Sequence, residues 1–148
     1  MALSLSIGIG IVIVVVVIYV FAYMSKLHKI QGIRNNLATM AQDPDPDVRL
    51  EALKHDFVSW SVVNDLCYDS DINVRLYALS HSKTLPCTLR DYKNYDEKLY
   101  AVNHREVCLA ILRNPNVTMP IVEFMLLSNN SRVRMFATRR LDTQLMLT

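Results

Sequence analysis

From Leu3 to Met24 the chain carries no charged residue, and from Ile11 to Ile18 it is isoleucine and valine alone. At about 1.5 Å per residue, roughly 20 residues cross a hydrocarbon core of about 30 Å. Lipid offers no water to an unpaired backbone group, so a span of this kind must be helical. Every Lys, Arg, Asp and Glu comes after it, and Tyr19 and Tyr23 stand near its end, where amphipathic rings favour the headgroup level. Lys26, Lys29 and Arg34 follow closely, while no Lys or Arg precedes Ile9. The positive flank stays cytoplasmic, which predicts a single-pass membrane protein with its N-terminus out and the rest of the chain in. A cleaved signal peptide is the alternative, and Val20-Phe21-Ala22 fits a small-x-small cleavage site. Against it stand the missing basic n-region and an apolar run longer than such peptides use.

Inside this stem Ser4 is paired with Gly8, and Ser6 with Gly10, at small-x-x-x-small spacing. That spacing lets two helices approach closely in lipid and predicts self-association or packing on a partner span.

After the stem, residues 25–42 keep a helical rhythm, with Leu27, Ile30, Ile33, Leu37 and Met40 recurring every three or four positions. An amphipathic juxtamembrane helix is expected, bent at Gly32. Asp43-Pro44-Asp45-Pro46 breaks it, because a proline pushes its preceding residue out of the helical region. Asp45 then caps a new helix that Pro46 opens. A second short apolar helix follows, through Trp60, Val62, Val63, Leu66 and Cys67.

The chain then repeats itself. Asp45-Pro46-Asp47-Val48-Arg49-Leu50-Glu51-Ala52-Leu53 returns 26 residues later as Asp71-Ile72-Asn73-Val74-Arg75-Leu76-Tyr77-Ala78-Leu79. A weaker copy runs from Asp96 to Val102, and another from Asn130 to Ala137. Ser82 to Tyr95 reads as irregular, with Pro86 breaking any long helix. Units of this length cannot bury their apolar face alone, and stacking them builds one continuous core. Asp/Asn caps, proline openings and short lengths favour helix over strand.

The box Asp-x-x-Val-Arg-Leu-x-Ala-Leu, with Asn114-Pro115-Asn116-Val117-Thr118-Met119-Pro120 leading to Val133-Arg134, resembles HEAT-like repeats. It is most similar to the leucine-rich repeat variant type found in bacteria. The resemblance covers Asp43 to Leu141 and implies an all-α chain: a transmembrane helix, then a short right-handed α-solenoid of paired helices acting as a binding surface. It also implies that Arg49, Arg75 and Arg134 are structural, tying turns to acidic neighbours such as Asp47 or Asp71. The cysteine cluster of some variant-repeat proteins has no counterpart here, so no iron–sulfur cluster is implied. The expected organisation is a transmembrane helix over 1–24, a juxtamembrane helix over 25–42, a repeat domain over 43–141 and a tail over 142–148.

Little points to chemistry. The glycines are Gly8, Gly10 and Gly32, so nothing from Ile33 onward can form a phosphate-cradling glycine loop. That excludes a P-loop, a dinucleotide fingerprint and a nucleophile elbow. Cys67, Cys87 and Cys108 are odd in number and widely spaced, which suits a reducing compartment better than a disulfide framework. His104 and Cys108 lie one helical turn apart, but His81 and Cys87 complete no metal set; Cys67 and Cys108 read as core. Asp65, Asp69 and Asp71 cluster where helix caps use aspartate anyway. No catalytic residue, cofactor or metal is expected, and the sequons at Asn116 and Asn129 read as accidental.

Charge is uneven. Ala41 to Asp71 holds eight acidic residues against Arg49 and Lys54, while six arginines follow Ala101 against three acids. Arg132, Arg139 and Arg140 form a candidate basic patch for acidic protein, anionic lipid or nucleic acid. Tyr77, Tyr92, Tyr95 and Tyr100 are candidate contact residues for a protein partner. The expected function is a membrane-anchored, non-catalytic scaffold.

Overall fold

The computed structural model describes the backbone of residues 2–95 and 97–145, with side chains over 12–91 and 105–143. Among the described residues the chain is all helix, with no strand. The elements are α1 (Ala2–Met40), α2 (Pro46–Lys54), α3 (Trp60–Leu66), α4 (Ile72–Ser80), α5 (Pro86–Tyr95), α6 (Glu97–Arg113), α7 (Met119–Leu126) and α8 (Ser131–Leu145). α1 joins the apolar stem and the juxtamembrane stretch in one helix that continues through Gly32. From Val12 to Met24 its large apolar side chains lie open, between 53% and 78% exposed, against nothing in the chain. The helix is long and apolar enough to cross a membrane. Ser4, Ser6, Gly8 and Gly10 are helical in backbone, and their side chains lie outside the described residues.

The short helices begin where local chemistry dictates. Asp45 caps α2 by accepting the Asp47 amide at 2.9 Å, with Pro46 in the first turn. Asp71 caps α4 through the amides of Asn73 and Val74, and Asn130 caps α8 through Arg132 and Val133. Ser59 caps α3 through Val62. Pro86 opens α5 instead of breaking the chain there, so much of the expected irregular stretch is helical. Proline at a first helical position costs no hydrogen bond, because that amide has no partner in any helix. Likewise α8 runs on to Leu145, past the expected end of the domain.

The helices pack in a row: α2 against α4, α4 against α6, and α6 against α8, with α3 beside α4 and α7 beside α8. Ala52, Ala78 and Ala137 are fully buried in this row, and their small size lets neighbouring helices approach. Val63, Leu89 and Val122 are fully buried on α3, α5 and α7. The end of α1 seals one side, where Leu37 is buried and Ile33, Ala38 and Met40 pack on the core.

Candidate functional site

The repeated box resolves into a repeated set of hydrogen bonds. Arg49 Nη1 donates to the Asp43 and Pro44 carbonyls at 2.7 and 3.0 Å. Arg75 Nη1 donates to those of Asp69 and Ser70, 26 residues on. Arg134 Nη1 donates to the Ser128 carbonyl at 2.6 Å. Each arginine thus gathers the carbonyls left over at the turn before its own helix, groups that would otherwise be stranded.

Arg49 also grips the next unit. Its Nε and Nη2 meet the two carboxylate oxygens of Asp69 at 2.7 and 2.8 Å, a bidentate pair with side chains 10% and 5% exposed. Asp69 is the partner, in place of the expected Asp47 or Asp71. Burial pushes its carboxyl up, but the Arg49 guanidinium, the Asp71 amide and the Arg75 charge outweigh this, and the net direction is down. Arg75 is equally buried, yet its Nε has no partner among the described residues.

A second edge is stitched differently. The turns after α2, α4 and α6 share one geometry: His55 Nδ1, His81 Nδ1 and Asn114 Oδ1 each accept the amide two residues on. Side chains of one turn then donate to carbonyls of the turn before. Lys83 Nζ reaches Asp56 and Val58, and Asn116 reaches Ser82 and Thr84. The buried Asn114 reaches Leu79 and His81 at 2.6 and 2.8 Å, and Arg140 reaches Asn114 and Pro115. The turns therefore lie side by side in one continuous edge. This register aligns Val107, Ile111 and Leu112 with Val74, Ala78 and Leu79 at 33 residues. It places the third copy of the box later than the expected Asp96 to Val102, of which Asp96 and the side chains of 97–102 lie outside the described residues.

The two edges differ in charge. The capping edge carries Asp43, Asp45, Asp47, Asp69 and Asp71, with Arg132 and Arg134 exposed at the start of α8. The stitched edge carries Lys54, Lys83 and Arg113 with the exposed Asp56, and the exposed apolar side chains of Phe57, Trp60 and Leu85. Trp60, at the start of α3, is 61% exposed and lies outside the core.

The other candidates fall as follows. Arg140 spends its guanidinium on the preceding turn, so it leaves the basic patch, whereas Arg132 and Arg139 are exposed. Those two are seven residues apart on α8 and share a face. Cys67 and Cys108 are buried and Cys87 is exposed. Burial pushes the Cys67 thiol up to about 12, a hydrogen bond with Thr84 opposing it. Asp71 caps a helix and Asp65 is exposed, so the aspartate cluster does not converge. Among the described residues no three His, Cys, Asp or Glu side chains form a metal set. Tyr77 is exposed beside His81, with ring centroids 6.3 Å apart. Tyr92, Tyr95, Tyr100 and His104 have side chains outside the described residues. The sequon residue Asn116 serves the turn-to-turn bonding. No protein-family model, curated protein or solved structure matches this chain.

Proposed function

We propose that this chain is a single-pass membrane protein, N-terminus out, whose cytoplasmic domain is a short right-handed solenoid of HEAT-like repeats. It serves as a non-catalytic scaffold that holds a partner protein at the inner face of the membrane, as an accessory subunit of a membrane complex would. The observation that carries the reading is the recurrence of one bonding pattern at Arg49 and Arg75, partly kept at Arg134. Those bonds fix the turn before each helix, while Arg49–Asp69 and the turn-to-turn bonds of Lys83 and Asn116 join one unit to the next; joined units can be stacked, and a stack makes surface. The uncovered apolar length of α1 supports the anchor. Ser4, Ser6, Gly8 and Gly10 are the proposed contacts for self-association within the membrane.

Affinity purification of the full chain from its native membranes in mild detergent, read by mass spectrometry, tests this. A stoichiometric protein partner is the expected result; recovery of the chain alone overturns it. Arg132 and Arg139 on one exposed face carry a second reading, contact with nucleic acid or anionic lipid. That reading requires retention on DNA, RNA or anionic vesicles that falls steeply with salt and drops on Arg132→Ala with Arg139→Ala.

A further inference from the structure

The course of α1 and α2 sets which edge of the domain faces the membrane. α1 leaves the apolar span at Lys26 and Lys29 and runs to Met40 at the acidic capping edge. From Lys29 to Met40 is about 16 Å of helix, and the nine residues of α2 travel about 13 Å. The chain reverses in the short turn before Pro46, and α2 packs on α1. Partial burial of Ile30 and Ile33, besides the buried Leu37, shows that cover on α1 extends back over three turns. The 26-residue repeat that pairs Val63 with the buried Leu37 pairs Trp60 with Arg34, about 8 Å of helix beyond Lys29. The α2–α3 turn, with Phe57 and then Trp60, lies at that level, and the stitching bonds set the next turn beside it.

We propose that the stitched edge rests on the anionic headgroup layer of the membrane that α1 spans, with Trp60 and Phe57 seated in the interface. This rests on the reading of α1 as a retained span. Trp60 is an apolar ring 61% exposed, and Phe57, beside His55, is 40% exposed. Tryptophan favours the water–hydrocarbon boundary, where its ring is buried and its N–H stays wet. Arg113, exposed on the same edge, and Lys54, paired with Glu51, offer charge to an anionic surface, while Lys83 serves the Asp56 and Val58 carbonyls and the exposed Asp56 opposes them. The aspartates of the capping edge, Asp43, Asp45, Asp47, Asp69 and Asp71, point the other way.

Trp60 is the only tryptophan, so its emission reports directly. The full chain is reconstituted into phosphatidylcholine–phosphatidylserine vesicles, with or without phosphatidylcholine brominated near the glycerol end of its chains. The expected result is a blue-shifted emission that loses most of its intensity to the brominated lipid. A control chain carrying Trp60→Phe and Val20→Trp, about 6 Å inside the Met24 end of the span, reports on the span itself. Emission from Trp60 that keeps its water-exposed maximum and full intensity, while the control is quenched, overturns the proposal and leaves the span standing. A control that brominated lipid leaves unquenched overturns both.

Discussion

Asp69 sits where two units meet, and removing it gives the sharpest energetic test. In Asp69→Ala the Arg49 guanidinium stays buried and loses both carboxylate bonds, keeping only the Asp43 and Pro44 carbonyls. Breaking a buried pair from one side costs about 3–5 kcal/mol. The two carbonyl bonds that survive place this case at the lower end, about 3 kcal/mol. With a urea slope of about 1.5 kcal/mol/M, the midpoint falls by ~2 M. The assay is a urea titration of the detergent-solubilised full chain followed by Trp60 emission.

Three comparisons isolate the cause. Arg49→Met with Asp69→Leu replaces the pair by apolar groups and recovers stability to within about 1 kcal/mol of the parent. Arg75→Met costs less than Arg49→Met, since Arg75 has carbonyl partners but no described partner for Nε. Arg134→Met, on an exposed side chain, costs least. The pH dependence has a fixed sign. The folded pKa of Asp69 is lowered, so its contribution is present above the unfolded value of about 4. It is lost as pH falls through the lower folded value, and Asp69→Ala removes that acid-side loss. A cost below about 1 kcal/mol for Asp69→Ala, or equal costs for Arg49→Met and Arg134→Met, refutes the reasoning.

Other consequences are as direct. Asn114→Ala strands the buried Leu79 and His81 carbonyls and costs about 2–4 kcal/mol, measured in the same titration. Ala78→Leu forces a large side chain into the fully buried face between α2 and α6, costing about 1–3 kcal/mol or more by thermal melting. A maleimide labels the exposed Cys87 in the folded chain and reaches Cys67 and Cys108 only after denaturation, as mass spectrometry would resolve. On sealed right-side-out vesicles a membrane-impermeant maleimide leaves Cys87 unlabelled until the membrane is opened; labelling before opening refutes the proposed orientation.

What the sequence made legible was local. Asp45, Asp71 and Asn130 cap helices because a short polar side chain followed by free amides has one good use, and that use needs no neighbour. Pro86 was ambiguous on the same physics, since one residue can end a helix or open one, and the packing of the following turn decides. Asp69 was out of reach because its bond to Arg49 spans 20 positions and joins two units, while Asp47 and Asp71 lay nearer in their own boxes. The third copy hid for a different reason. Cys108 stands where Arg49 and Arg75 stand in the earlier copies. The turn signal that fixes its register comes from two histidines and an asparagine, unlike in identity but alike in offering an acceptor to the amide two residues on. Aligning residues by that role, at spacings of 26 and then 33, would have found it. Trp60 was legible as part of a short apolar helix, but not its exposure, since an apolar residue at helical spacing usually faces a core. Its place at the first position of a short helix, on the stitched edge, leaves it open instead.

The continuity of α1 gives these pieces a common consequence. A coil between span and domain would leave the domain free to present either edge to the lipid, and the charge difference between the edges would only bias it. Here the helix that carries Lys26 and Lys29 is the same helix whose Leu37 is buried in the domain core. The helical link fixes how far the stack stands from the span as well as which edge faces it. Residues inserted between Lys29 and Ile30 turn the domain about the α1 axis, which leaves the membrane-facing edge unchanged, and lift it by about 1.5 Å each. Seven inserted residues return the domain to within about 20° of its rotation and lift it by about 10 Å. The Trp60 quenching by brominated lipid is therefore expected to survive one inserted alanine and to fall with seven. Quenching indifferent to the number inserted shows that the domain finds the membrane without guidance from α1.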